Sequence, residues 1–514
     1  MYSRIYAGAI HGIESFLTTV EVDTAQALPG FDMVGLLNSE VREARERVRV
    51  ALKNTEILLP PLRITVNLSP ANIRKEGVAF DLPIAIGILV SLGHIPVEGV
   101  EDTLIIGELG LNGEVRPVKG VLPIVMEAKK QQMKRCILPI HNAMEGAVIE
   151  GIEIIGVEDL RETITYLSSP EERKETILRP TRVSVAELFS GSEEKQTLDF
   201  ADINGQESVK RVAEIAAAGF HNMIMMGPPG SGKTMIAKRL PGILPPLTME
   251  ESLEVSKIYS VSGLLSQEAA LITKRPFLNP HHTISEQALA GGGLIPRPGV
   301  MSLAHRGVLF LDELPEFKRN TIEIMRQPME DKEIHIARSY GTFTYPANFM
   351  MIGAMNPCPC GYYPDRNKCN CKEHEIRKYK NRISGPILDR VDLCVEASRI
   401  EVTELLQNDH GKNETSEQIR SRVMEARERQ EYRYRGTSYH FNTEVAVKDM
   451  NRYCHLGEGE QQLMRQVFQT LQLSARAYHR VIKVARTIAD LSGAEQIRES
   501  HIGEAVCYRF NGNF

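Results

Sequence analysis

Gly227-Pro228-Pro229-Gly230-Ser231-Gly232-Lys233-Thr234 places a glycine-rich turn between an apolar run and a Lys-Thr pair. The spacing is that of a phosphate-binding loop. Glycines let the backbone turn its N–H groups towards phosphate oxygens, and a helix beginning near Lys233 aims the positive end of its dipole at the same anion. Lys233 is suited to reach the β- and γ-phosphates of a nucleoside triphosphate, and the Thr234 hydroxyl to ligate Mg²⁺.

Downstream, Val308-Leu309-Phe310-Leu311 ends abruptly in Asp312-Glu313, the way a buried parallel strand delivers acids to its C-terminal edge. Asp312 is suited to hold Mg²⁺ through its water shell, and Glu313 to polarise an attacking water. A third apolar segment, Phe349 to Met355, ends in Asn356-Pro357. An asparagine at that strand end, beside Asp312, is expected to hydrogen-bond a γ-phosphate or the attacking water. The expected ligands are a nucleoside triphosphate and Mg²⁺.

Eight cysteines in a chain expected to be cytoplasmic argue against disulfides. Four of them fall together as Cys358-Pro359-Cys360 and Cys369-Asn370-Cys371. Four thiolates on one loop can close a tetrahedral structural Zn²⁺ site, which would staple the segment after Asn356 rather than perform chemistry. Reduced free thiols and a redox pair are the competing readings, and His374 is an alternative fourth ligand.

These groups must be positioned by elements, and the pattern is α/β and multi-domain. Residues 1–170 form a separate unit: Arg63 to Leu68 alternates like a half-buried strand, Ala79 to Leu89 reads as a buried helix, and Gly107 to Gly120 as a hairpin leading into a helix. Polar stretches at 168–174 and 191–196 suit a linker over 171–198. The nucleotide core is expected over 199–397. Over 398–514 the pattern is helical, with six arginines against four glutamates between Glu417 and Arg435. Tyr432, Tyr434 and Tyr439 interleave with them, either as a surface that stacks on single-stranded bases or as a solvated, ion-paired helix.

The order of phosphate loop, acidic strand and asparagine, then Arg382 to Leu393 with Arg390, then Ser474-Ala475-Arg476, resembles the AAA+ ATPases. That resemblance implies that the nucleotide is ATP and the reaction its hydrolysis, that Arg390, with Arg382 as substitute, acts on the ATP of a neighbouring subunit, and that Arg476 is the lid arginine that touches the γ-phosphate. It also implies that the Ile203-Asn204-Gly205-Gln206 turn lines the adenine pocket. The insertion between Pro245 and Arg306, with Arg275-Pro276-Phe277-Leu278-Asn279-Pro280-His281-His282-Thr283 and Gly291-Gly292-Gly293, resembles the Mg-chelatase branch. In that branch a helix-2 insert and a hairpin before the sensor asparagine project into the pore of a ring. Glu333 to Tyr345, alternating about a turn near Tyr340-Gly341, fits the hairpin.

The N-terminal unit resembles the Lon-protease-type domain of the ribosomal S5 domain 2 fold. Lys75-Glu76-Gly77-Val78-Ala79-Phe80-Asp81 stands where the proteolytic members carry their serine, so a non-proteolytic domain similar to that of the recombination factor RadA is implied. Arg74, Lys75, Arg116 and Lys119 are candidate phosphate contacts.

With all parts included, the whole chain resembles the bacterial ComM/YifB family of Mg-chelatase-like proteins. The resemblance implies a homo-oligomeric ring, most simply a hexamer, that drives branch migration on single-stranded or branched DNA passing through its pore. Two other classes compete: a protein remodeller like the magnesium-chelatase motor subunit, and an ATP-dependent protease, which the missing serine disfavours.

At 514 residues, about three domains are expected, and 42% apolar with 25% charged residues is ordinary for a globular protein. A formal net charge of −5 argues against a surface basic all over, so any DNA contact must be local. The N-terminus reads as lacking a cationic leader and no run suits a membrane span, so a cytoplasmic protein without membrane contact is expected.

Overall fold

The computed structural model describes residues 1–190, 198–266, 270–339, 341–399 and 413–509. It divides into two compact units: Met1–Ser192 with Met249–Thr273 and Ala337–Thr344, and Glu193–Thr248 with Lys274–Ile336 and Tyr345–Phe514.

The first unit is built on a seven-stranded mixed sheet. Its spatial order is Gly30–Val34, Arg63–Ser69, Glu14–Ala25, Tyr2–His11, Thr103–Ile105, Arg135–Pro139 and Glu153–Val157. The strand Arg63–Ser69 alternates, with Ile64, Val66 and Leu68 buried. The helix Asp81–Ser91 is buried along its whole length, which is why it reads apolar on every face. Its single acid is held by the guanidinium of Arg47, whose Nε and Nη2 donate to the Asp81 carboxylate at 2.6 and 2.8 Å. Burial nonetheless moves the Asp81 pKa upward, against the pull of Arg47. The hairpin Glu108–Leu109 with Val115–Arg116 precedes the helix Val121–Lys130.

Two sequence expectations change here. Lys75 is no phosphate contact: it is fully buried, its ammonium donates to the carbonyls of Pro70 and Ile73, and burial lowers its pKa. Arg74 and Arg116, in turn, pair with Glu76 and Glu114. The start of the expected linker is folded instead, as the helix Glu171–Ile177. Glu171 accepts from Arg135 at 3.0 and 2.8 Å and from Lys174 at 2.7 Å, and these bonds tie the segment to the sheet. Residues 191–196 lie outside the described residues.

The second unit carries a five-stranded sheet in the order Phe277–Leu278, Val308–Leu311, Met350–Met355, Met223–Met226 and Leu393–Glu396, every neighbouring pair parallel. The three central strands are wholly buried, as continuous apolar runs in a sheet covered on both faces should be. One hydrophobic core runs from Phe200 through the strands to the C-terminal helices Ser416–Tyr434, Ala475–Leu491 and Glu499–Cys507. Nucleotide core and helical region share this core within one compact unit. Glu333–Arg338 and Gly341–Pro346 form a two-stranded sheet, and Tyr340, at the expected turn, lies outside the described residues.

Ion pairs, not stacking surfaces, account for most arginines of the helix Ser416–Tyr434. Arg422 pairs with Glu214 and Glu414, Arg427 with Glu431, and Arg433 with Asp490. Tyr434 is buried and the Tyr439 hydroxyl donates to Asp449 at 2.6 Å, so of the three tyrosines only Tyr432 is broadly exposed. The ion-paired reading prevails over the base-stacking one.

The N-terminal ends of the neighbouring strands Met350–Met355, Met223–Met226 and Leu393–Glu396 are locked together by Asn222 and Asp392. Asn222 donates its backbone N–H to Asp392 at 2.9 Å and accepts from the Met351 N–H at 2.8 Å, and Arg480 caps the Asp392 carboxylate. Burial opposes the charge on Asp392, but the Arg480 guanidinium and the His221 ring outweigh it and hold the carboxyl well below the usual carboxylate range. Breaking a buried pair leaves a stranded charge, so Asp392→Ala is expected to destabilise the unit by about 3–5 kcal/mol, read as a lowered urea midpoint. Because the folded pKa is depressed, the stabilisation is complete above about pH 4 and fades as the pH falls towards the folded value.

Candidate nucleotide site

The strand Met223–Met226 delivers the glycine-rich loop directly to the helix Lys233–Ile243. Gly232, the residue before that helix, adopts φ +83°, a left-handed conformation that favours glycine at the point where the chain must turn into the helix. Lys233 folds back along the loop, its ammonium donating to the carbonyls of Gly227 and Pro228 at 2.7 and 2.9 Å and to Ser231 Oγ at 3.2 Å. Burial lowers its pKa to about 8, against the opposing pull of Asp312.

Asp312 meets this loop from the neighbouring side. The Thr234 hydroxyl donates to Asp312 Oδ2 at 2.9 Å, and Asp312 Oδ1 accepts from the Glu313 N–H at 3.0 Å. A hydroxyl and a carboxylate in direct contact beside a buried ammonium are the donor set that Mg²⁺ and a triphosphate require. Glu313 sits in the left-handed region, φ +51°, and its half-exposed carboxylate lies 3.6 Å from His282 Nδ1.

Asn356 emerges one residue past Met355, which pairs with Met226, and the Gly227 N–H donates to the Met355 carbonyl at 3.2 Å. Lys233, Thr234, Asp312, Glu313 and Asn356 thus gather at the C-terminal edge of the sheet. Gln206, from the turn assigned to adenine, is buried and donates to the Ser398 carbonyl at 2.6 Å.

Arg390 and Arg476 lie elsewhere. Arg390 is buried, donating to the Pro386 carbonyl at 2.8 Å and pairing with Glu330 at 2.7 Å. Arg476 is 59% exposed and lies 3.6 Å from the other oxygen of the same Glu330. Glu330 and Arg476 line a cavity of about 810 Å³ together with Asn222, Asn348 and Asp392, the residues just before three of the strands. This is the N-terminal edge of the sheet, opposite the phosphate loop. Within one chain the two arginines are grouped with each other and not with Lys233. Arg382 is half exposed and pairs with Glu316 at 2.8 Å.

The Sγ atoms of Cys358, Cys360, Cys369 and Cys371 all lie within 4.8 Å of one another. His374 is not part of that group.

Sequence reasoning assigned no role at the nucleotide site to three residues that lie against it. His282 faces Glu313; Tyr379, whose phenol burial pushes up to about 12, lies beside the Asn356 backbone; and Gly361 abuts the loop. The His-His pair after Asn279-Pro280 was a visible signal for the first; nothing local marks the other two.

Among the described residues, no helix is long and apolar enough to cross a membrane. Residues 199–405 match the family described as magnesium chelatase, subunit ChlI; residues 20–142 and 413–509 match the subunit ChlI and ChlI C-terminal descriptions of the same group. The chain is 41% identical over 509 residues to the competence protein ComM of Haemophilus influenzae, covering 98% of this chain and 97% of that one. It is 39% identical over 507 residues to YifB of Escherichia coli, covering 99% of this chain and 97% of YifB. A shorter likeness, 33% over 110 residues, relates 20% of the chain to 19% of Lon protease 2 of Bacillus subtilis. Full-length similarity at this level, over a sheet edge that gathers the phosphate loop and its carboxylates, makes the chain a member of the ComM/YifB family of Mg-chelatase-like AAA+ proteins.

Proposed function

We propose that the protein is a ring-forming ATPase that couples ATP hydrolysis to remodelling of branched DNA, as a branch-migration motor in recombination during natural transformation. The observation that carries the ATPase part is the contact of Thr234 with Asp312 beside the buried Lys233. In this reading Gly227 to Thr234 cradle the phosphates, Thr234 and Asp312 hold Mg²⁺, Glu313 orients water and Asn356 senses the γ-phosphate. Arg390 and Arg476 serve the ATP of a neighbouring copy, which requires a closed ring, most simply a hexamer in the cytoplasm. The four cysteines hold a structural Zn²⁺. The N-terminal domain, of the S5 domain 2 type, acts in ring assembly and DNA contact without proteolysis.

The DNA part is supported by full-length similarity to a protein named for competence. The matches to magnesium chelatase favour a second reading, a remodeller of a protein partner. ATP turnover with and without four-way-junction DNA separates them. Stimulation of about tenfold at low salt, weakening as salt rises, is expected for the DNA motor. Equal rates with and without DNA, in protein that forms rings with nucleotide, would favour the protein partner.

A further inference from the structure

The cysteine quartet lies one turn beyond Asn356, and its loop does not stand apart from the nucleotide site. Gly361, inside the Cys358-Pro359-Cys360-Gly361 turn, packs so tightly against Pro229 of the phosphate loop that a Cβ on it would fall 2.5 Å from Pro229 Cδ, and the same Cβ would sit 3.8 Å from Asn356 Cγ. On the far side, Tyr379, in the helix Glu373–Lys380 that follows the last cysteine, is buried beside the backbone of Asn356. The cysteine loop therefore braces the phosphate loop and the sensor asparagine at once.

The chemistry of the quartet suits Zn²⁺. Four thiolates about 2.3 Å from a tetrahedral metal stand about 3.8 Å apart. Cys358 lies 3.3 Å from Cys360 and 3.7 Å from Cys369, and Cys358 and Cys369 are buried. The Tyr363 N–H donates to Cys358 Sγ at 3.4 Å, and Arg366 donates to the Cys371 carbonyl at 3.1 Å. Peptide donors and cations around a tetrathiolate offset its negative charge and fix its ligands.

We propose that this Zn²⁺ centre is a strut for the nucleotide site: with the metal in place, Gly361 presses on Pro229 and holds the phosphate loop and Asn356 in the geometry for ATP. The proposal rests on the ATPase reading of that loop and adds that metal loading sets its competence. Misplacing a catalytic group by about 1 Å can cost about 10²-fold, so a small shift of this loop is enough.

The test compares wild type, Cys369→Ser and Gly361→Ala, measuring metal content by mass spectrometry, affinity for a fluorescent ATP analogue, and DNA-free ATP turnover. Expected are about one zinc per wild-type chain, loss of most of it in Cys369→Ser, and retention in Gly361→Ala, whose ligands are intact. Both variants should lose about tenfold or more in nucleotide affinity or turnover. If Cys369→Ser does not fold, wild type stripped of metal by a chelator and checked by circular dichroism replaces it. Iron in place of zinc, paired disulfides, or a Gly361→Ala protein that binds and hydrolyses ATP like wild type would overturn the proposal. Zinc loss that leaves nucleotide affinity and turnover unchanged would do the same. A wild type that binds the analogue but does not hydrolyse ATP would count against the ATPase reading, while the affinity comparison would still decide the strut.

Discussion

Glu313→Gln is expected to lower steady-state ATP turnover by about 10²–10⁴-fold while changing nucleotide affinity by less than about threefold. The expectation follows from how the two carboxylates are used. Asp312 is fully engaged, one oxygen with Thr234 and the other with the Glu313 N–H, which suits it to carry the metal. Glu313, turned away from that pair by its left-handed backbone, keeps a half-exposed carboxylate whose near neighbour is His282 at 3.6 Å. An amide at this position preserves size and hydrogen bonding but cannot take a proton from water. Phosphate release and titration with a fluorescent ATP analogue separate the two effects. A variant that turns over at the wild-type rate would move the base elsewhere; one that also loses nucleotide would make Glu313 a binding residue.

The parts of the site that were legible are those whose signal is local. Val308 to Leu311 and Met350 to Met355 are continuous apolar runs because both faces of their sheet are covered, and a polar residue at the end of such a run marks the sheet edge. The phosphate loop declares itself by glycine spacing for the same local reason. What sequence could not show depends on partners distant along the chain. Lys75 reads as a loop cation until the carbonyls of Pro70 and Ile73 enclose it. The arginines of Ser416–Tyr434 read equally as a basic surface or an ion-paired helix, and only the distant partners Glu214, Glu414 and Asp490 decide for the second. The approach of Gly361 to Pro229 has no periodicity or composition to announce it. Charge alone, without its counter-ion, is the least transferable signal in this chain.

Arg476 carries the other large effect, because its position decides which subunit's ATP it can serve. It shares Glu330 with Arg390 at the N-terminal edge of the parallel sheet, whereas Lys233 and Asp312 stand at the C-terminal edge. Strands of four to six residues at ~3.3 Å per residue put roughly 13–20 Å between those edges, more than an arginine side chain spans. Arg476 therefore completes no site in its own chain, and in a head-to-tail ring the same edge would face the next subunit's loop. Arg476→Ala is expected to lower turnover by about 10³-fold, the lower end of what an arginine supplied across an interface contributes, and its 59% exposure makes loss of fold an unlikely confounder. Lys233→Ala should be equally inactive, for want of nucleotide. Mixed in equal amounts and reassembled, the two variants should regain up to about one quarter of wild-type turnover. In a random ring that fraction of interfaces joins an intact Lys233 on one chain to an intact Arg476 on the next. If Arg476 instead reached the loop of its own chain, every site in the mixture would lack one of the two groups, and mixing would restore nothing.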